Sequence, residues 1–101
     1  MTVKVQAPFQ VTETLQNLID EKTNKLQHIF ERITSVEIFL KVDADRHKHG
    51  NSKQVEVKLN VPRQTLFAED HNEEFDRALI KAMDKMRKQL LKYKEQLVEH
   101  H

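Results

Sequence analysis

Two runs of alternating apolar residues, Val36, Ile38, Leu40, Val42 and Val55, Val57, Leu59, Val61, flank a single polar stretch. A period of two places the apolar side chains of such a run on one face of a sheet and the intervening ones, Glu37, Phe39, Lys41 and Asp43 in the first run, on the other. The connecting DADRHKHGNSK, residues 43–53, contains the only glycine and reads as an exposed hairpin loop. These runs demand a sheet with one dry face and one wet face, and the dry face must be covered.

Two amphipathic segments supply the cover. Thr12 offers an N-cap, after which Leu15, Leu18, Ile19, Lys22, Leu26, Ile29, Phe30 and Ile33 recur at helical spacing, with only Lys22 interrupting the buried side. This predicts a first helix over 13–33. Asn72 caps a second, with Glu73, Glu74 and Asp76 at the positive end of its dipole and an apolar stripe of Phe75, Leu79, Ala82, Met83, Met86, Leu90, Tyr93 and Leu97. Val3 and Val5 before Pro8 read as a short first strand. Pro62 and Arg63 turn the chain into a last strand at about 64–69, where adjacent Leu66 and Phe67 leave the inward face open. The expected order is βαβββα. It gives one domain, 1–101, of the α+β class, with two layers: two helices on one face of a four-stranded, mainly antiparallel sheet, as in double-stranded RNA-binding domains.

Composition removes several function classes. The 101 residues include no cysteine, which excludes disulfides and thiol catalysis and fits a reducing compartment. The longest apolar runs, such as Ile38 to Leu40, are far too short for a membrane span or a signal peptide, so a cytoplasmic location is expected. One glycine cannot build a Gly-rich phosphate loop, and no nucleophile beside a base or pair of acids on one frame is evident. No enzyme activity, catalytic residue, cofactor or small-molecule substrate is expected. Asp43, Asp45, His47 and His49 are competent metal ligands, but Arg46 and Lys48 between them repel a cation, so no metal is expected either.

Charge is the informative remainder. The chain carries a net +1, yet residues 77–94 contain seven cations and one acid, Asp84. On a helical wheel Arg77, Lys81, Lys85, Lys88 and Lys92 form one stripe nearly opposite the apolar face, a ridge about 20 Å long, while Arg87 and Lys94 flank that face. Lys22 and Lys25 on the first helix extend the patch if the helices lie side by side. A solvated helix ordinarily mixes signs to gain i, i+4 pairs, and its C-terminal turn favours cations, which explains only some of this excess. A polyanion such as RNA is the partner that fits. Phe39 on the wet sheet face is open to stacking on a base or to contact with a protein.

The same residues carry a family resemblance. DKMRKQLLKYK, 84–94, resembles the signature Asp-Lys-Leu-x-Arg-Gln-Leu-x-Lys-x-Lys of the bacterial ribosome hibernation promoting factors and ribosome-associated inhibitors, with Met86 for Leu and Lys88 for Arg. KTNKLQHIFERI, 22–33, is similar to the family's Lys-x-x-Lys-Leu-x-x-x-Phe-[Asp/Glu]-Arg-Ile. NVPRQTLFAED, 60–70, resembles the segment joining the last two strands in Bacteroidetes-like members. The resemblance implies a stationary-phase inhibitor of translation that lies on the small ribosomal subunit, in the messenger and transfer RNA channel near the A and P sites, touching ribosomal RNA. Carried over by position, the contacts are Lys22, Lys25, Lys85, Lys88, Lys92 and Lys94; the wheel adds Arg77, Lys81 and Arg87. Phe75 and Asp76 stand where many members have a Met-Tyr pair, so a contact made by that tyrosine is not carried over to this chain. Long members also have a C-terminal domain that pairs ribosomes. A chain of 101 residues is expected to be the short form, relying on a separate factor for ribosome dimerisation and on no membrane. From the residues alone, a generic duplex-RNA reader and a protein adaptor or homodimer using the sheet face around Phe39 remain alternatives.

Overall fold

The computed structural model describes residues 1–43 and 52–99, with side chains through Leu97. Its elements are β1 (Thr2–Gln6), α1 (Glu13–Ile29), β2 (Ser35–Val42), β3 (Lys53–Val61), β4 (Gln64–Asn72) and α2 (Phe75–Glu99), in the expected βαβββα order. The four strands lie side by side in sequence order. α1 returns the chain so that β1 pairs parallel with β2, whereas β2–β3 and β3–β4 are antiparallel, making the sheet mixed.

Register delivers the dry face that the alternation requires. Val36 pairs with Leu59, Ile38 with Val57 and Leu40 with Val55, and all six are buried. On β4 the open question resolves with Leu66 and Ala68 inward and Phe67 outward, 49% exposed. From α2, Leu79, Met86 and Leu90 reach zero exposure against this face. Burying a side chain of this size is worth roughly 1.5–3 kcal/mol, so this interface dominates the fold's stability.

Three boundaries differ from expectation. α1 ends at Ile29 rather than Ile33: Phe30 is extended (φ −145°, ψ 109°) and its N–H caps Leu26 O. That change of direction sends the Phe30 ring edge-on to Tyr93, with centroids 5.4 Å apart. It also frees Thr34 to pair with Asn60 O at 2.9 Å, so tertiary contacts override the helical period. Within α1 the buried line passes through Ile19, Thr23 and Leu26, and Lys22 stands beside it. Thr23 is tolerated there because its hydroxyl donates to Asp20 O at 3.1 Å.

β4 runs on to Asn72, so α2 starts at Phe75, and Glu73 and Glu74 precede it. Asn72 Oδ1 still accepts from the Glu73 and Glu74 N–H groups, at 2.8 and 3.4 Å, but as a turn contact ahead of the helix. Of the three expected carboxylates only Asp76 lies in the first turn. At the β2–β3 hairpin, Asp43 N–H meets Ser52 O at 2.6 Å; Asp45, His47 and His49 of the metal reading lie outside the described residues, as do His100 and His101.

The wet face is a polar lattice. Lys4, Glu37, Lys58 and Phe67 share one row across the strands. Lys41 pairs with Glu56 at 2.9 Å, and Gln54 bridges Glu56 and Glu69 at 3.2 and 3.0 Å. Phe67 is thus a second aromatic on the same face as Phe39, two strands away and in the adjacent row, so the two rings are not in contact.

Candidate nucleic-acid interface

α2 holds its place on the sheet edge through polar groups as well as apolar ones. β4 is an edge strand, and alternate carbonyls of such a strand lack ladder partners. Gln89 Nε2 donates to Phe67 O at 2.7 Å and Lys85 Nζ to Glu69 O at 3.0 Å. One turn further along, the Tyr93 hydroxyl donates to Pro62 O at 3.1 Å. Residues 85, 89 and 93 are four apart and share one side of the helix, so that side is clamped to the edge at two β4 carbonyls and at the turn before it.

Lys85 also pairs with Asp70 Oδ2 at 3.2 Å. Partial burial alone would raise the Asp70 carboxyl. The His71 N–H, the Lys85 bond and charge, and the charge of Lys81 together outweigh it and hold the group below its ordinary value.

The outer stripe of α2 is unevenly occupied. Arg77 lies 3.5 Å from Glu74 and Lys88 lies 3.3 Å from Asp84. Lys81 and Lys92 are exposed and make no contact ion pair or hydrogen bond among the described residues. Exposed pairs of this kind are worth about 0–1 kcal/mol, so a phosphate competes with Glu74 and Asp84 at little cost. Asp84 is the local counter-ion: the bond from Arg87 at 2.9 Å, then that from Lys88, keep its carboxyl below the ordinary range.

On the flank facing α1, Lys94 Nζ donates to Ile29 O at 3.0 Å, which caps the end of α1. Between the helices runs a groove of about 370 Å³ lined by Lys22, Lys25, Lys81 and Arg87, with Asp84 beside them and Leu26, Ile29, Ile80 and Met83 beneath. Lys25 has only a loose partner, Glu21 at 3.8 Å, and Lys22 has none among the described residues.

Of the nine predicted residues, Lys22, Lys25, Lys81 and Arg87 thus converge on one groove, and Lys88 joins them through Asp84. Lys92 continues the outer stripe towards the C-terminus, and Arg77 stands at the start of the helix. Lys85 and Lys94 do not belong to an unobstructed ridge, because both bend onto backbone carbonyls. Sequence reasoning missed Asp84 as counter-ion, although its i+3 and i+4 spacing to Arg87 and Lys88 was a legible signal. Gln89 as an edge clamp and exposed Ile80 had no such signal. Among the described residues no group of three or more metal-ligating side chains gathers, and no helix is long and apolar enough to cross a membrane.

Comparison with known proteins adds the following. The family described as "Sigma 54 modulation protein / S30EA ribosomal protein" matches residues 3–98. A ribosome hibernation promotion factor of Deinococcus radiodurans is 34% identical over 85 residues, which is 84% of this chain and 44% of the relative. The chain therefore spans less than half of that protein's length. A ribosome hibernation promoting factor of Azotobacter vinelandii is 32% identical over 91 residues, 90% of this chain and 79% of the relative. Among solved structures, a ribosomal subunit interface protein from Coxiella burnetii superposes with a TM-score of 0.81 at 20% identity, covering 94% of this chain and 99% of that one. At that identity the likeness is one of fold.

Proposed function

The chain belongs to the Sigma 54 modulation protein / S30EA ribosomal protein family, and we propose that it is a cytoplasmic hibernation factor. In this reading it binds the small ribosomal subunit in the messenger and transfer RNA channel, across the A and P site region, and so blocks translation in dormant cells. The observation that carries the reading is the concentration of cations on α2 and the facing side of α1, bordering one groove. It is supported by relatives named for ribosome hibernation.

The mechanism is occlusion and needs no bond chemistry. Lysine ammonium groups neutralise phosphates and release condensed counter-ions, which supplies affinity without base-specific contacts. Buried Leu79, Met86 and Leu90 and the bonds of Lys85 and Gln89 to β4 fix α2 on the sheet, so the charges arrive pre-arranged and little ordering entropy opposes docking. A body filling the channel then excludes the initiator transfer RNA and the message by volume.

A sucrose-gradient profile with isolated small subunits, with and without transfer RNA bound, tests this directly. The protein should migrate with vacant subunits and be displaced when transfer RNA fills the P site. Migration indifferent to transfer RNA but abolished by excess free duplex RNA would instead favour a generic duplex reader.

A further inference from the structure

Ile80 is 45% exposed in the middle of the basic surface, between Arg77 and Asp84 on α2. A surface that meets only phosphates gains nothing from an isoleucine there. Ile80 is also not an isolated apolar spot, because partly buried Ile29 of α1 lies with it in the interhelical groove, over buried Leu26 and Met83. The groove thus has an apolar floor and a rim of four cations, Lys22, Lys25, Lys81 and Arg87, with a single carboxylate, Asp84. Its volume of about 370 Å³ lies within the roughly 300–1,000 Å³ of sites that enclose small ligands.

We propose that this groove holds one unstacked RNA nucleotide, its base against Ile80 and Ile29 and its flanking phosphates on Lys22, Lys25, Lys81 and Arg87. The inference rests on the ribosome-binding reading and sharpens it: the protein takes hold of a splayed nucleotide as well as lying along a phosphate track. Unpaired nucleotides are the part of a structured RNA whose bases are accessible to side chains. The chemistry divides within the groove. An ionised carboxylate repels phosphate, so Asp84, already paired with Arg87 and Lys88, marks the end of the groove that the phosphates avoid, and they are left to the cations.

Ultraviolet crosslinking of the full chain bound to small subunits, followed by trypsin and mass spectrometry, tests the assignment, since direct irradiation joins an unstacked base to the side chains it touches. A nucleotide adduct is expected on peptides 26–32 and 78–81, which contain Ile29 and Ile80. Ile80→Ser, at an exposed position that does not endanger folding, should reduce that adduct about fivefold or more, while co-sedimentation at low salt persists. Adducts absent from these peptides in a complex that still forms, or an adduct unchanged by Ile80→Ser, overturn the groove assignment and leave ribosome binding standing. Absence of any co-sedimentation by the unaltered protein overturns the ribosome reading, and the groove assignment with it.

Discussion

Lys94 and Ile29 are 65 residues apart in sequence, yet the Lys94 ammonium donates to the Ile29 carbonyl at 3.0 Å. A cation at the last carbonyls of a helix satisfies an orphan acceptor and opposes the negative end of the dipole. Here the cation comes from the other helix, so the same bond also ties α1 to α2 at one end of their groove.

Lys94→Met retains most of the aliphatic stem and removes the charge together with the donor to Ile29 O. It should lower stability by about 0.5–1.5 kcal/mol, read from urea midpoints at unchanged slope. A variant as stable as the parent would show that the bond contributes no stability.

Asp70 predicts an acid-sensitive contribution at the β4 edge. Its folded pKa lies below the ordinary 3.8, so its ionised form favours the folded state at all pH values above 3.8, and that contribution disappears as pH falls through the folded pKa. Asp70→Asn should therefore be less stable than the parent near neutrality, and the difference should narrow in acid below pH 3.8. A gap that stays constant across the titration would mean the ion pair with Lys85 is not its source.

Arg63 has a φ of 69°, following Pro62 in the two-residue turn between β3 and β4. A side-chain-bearing residue in the left-handed region costs roughly 1–2 kcal/mol, and glycine recovers this at an entropic cost of roughly 0.5–1 kcal/mol. Arg63→Gly is expected to be neutral to about 1 kcal/mol more stable by thermal unfolding. A clear loss would place a supporting contact on the arginine.

Asp84 holds back two cations. Asp84→Asn frees Arg87 and Lys88 at once, so affinity for small subunits should rise several-fold at low salt, and the gain should shrink as salt screens the added charge. Unchanged affinity at low salt would remove this end of the groove from the contact.

Much of the fold was legible because a single local pattern governed it. Alternation at 36–42 and 55–61 predicted both central strands, and their apolar residues sit on the expected dry face except Val42, which is 57% exposed at the end of β2. Misplaced boundaries occurred where contacts from elsewhere decide: Phe30 leaves the helical path to meet Tyr93, and Asn72 joins β4 by pairing with Lys53. Leu66 and Phe67 were ambiguous because both are apolar, and only the β3 register places Phe67 outward. The basic surface was equally visible as a stripe of residue types, since spacing alone puts Arg77, Lys81, Lys88 and Lys92 on one side. Which of the cations bond to other elements was not visible. Lys85 and Lys94 bond to carbonyls of β4 and α1, and no helical wheel contains those partners.

Lys22, Lys81 and Lys92, which no contact ion pair or hydrogen bond occupies among the described residues, are on this account the main source of attraction for ribosomal RNA. The salt dependence of binding to isolated small subunits, measured for the parent and for the triple variant with alanine at these positions, tests that claim most directly. Each phosphate neutralised contributes about 0.7–0.9 to the slope of log affinity against log salt, so the triple variant should lose about 2–3 units of slope. Its unfolding free energy should stay within about 1 kcal/mol of the parent, because Lys81 and Lys92 are exposed and Lys22 is only half-buried. An unchanged slope in a folded variant would contradict the account.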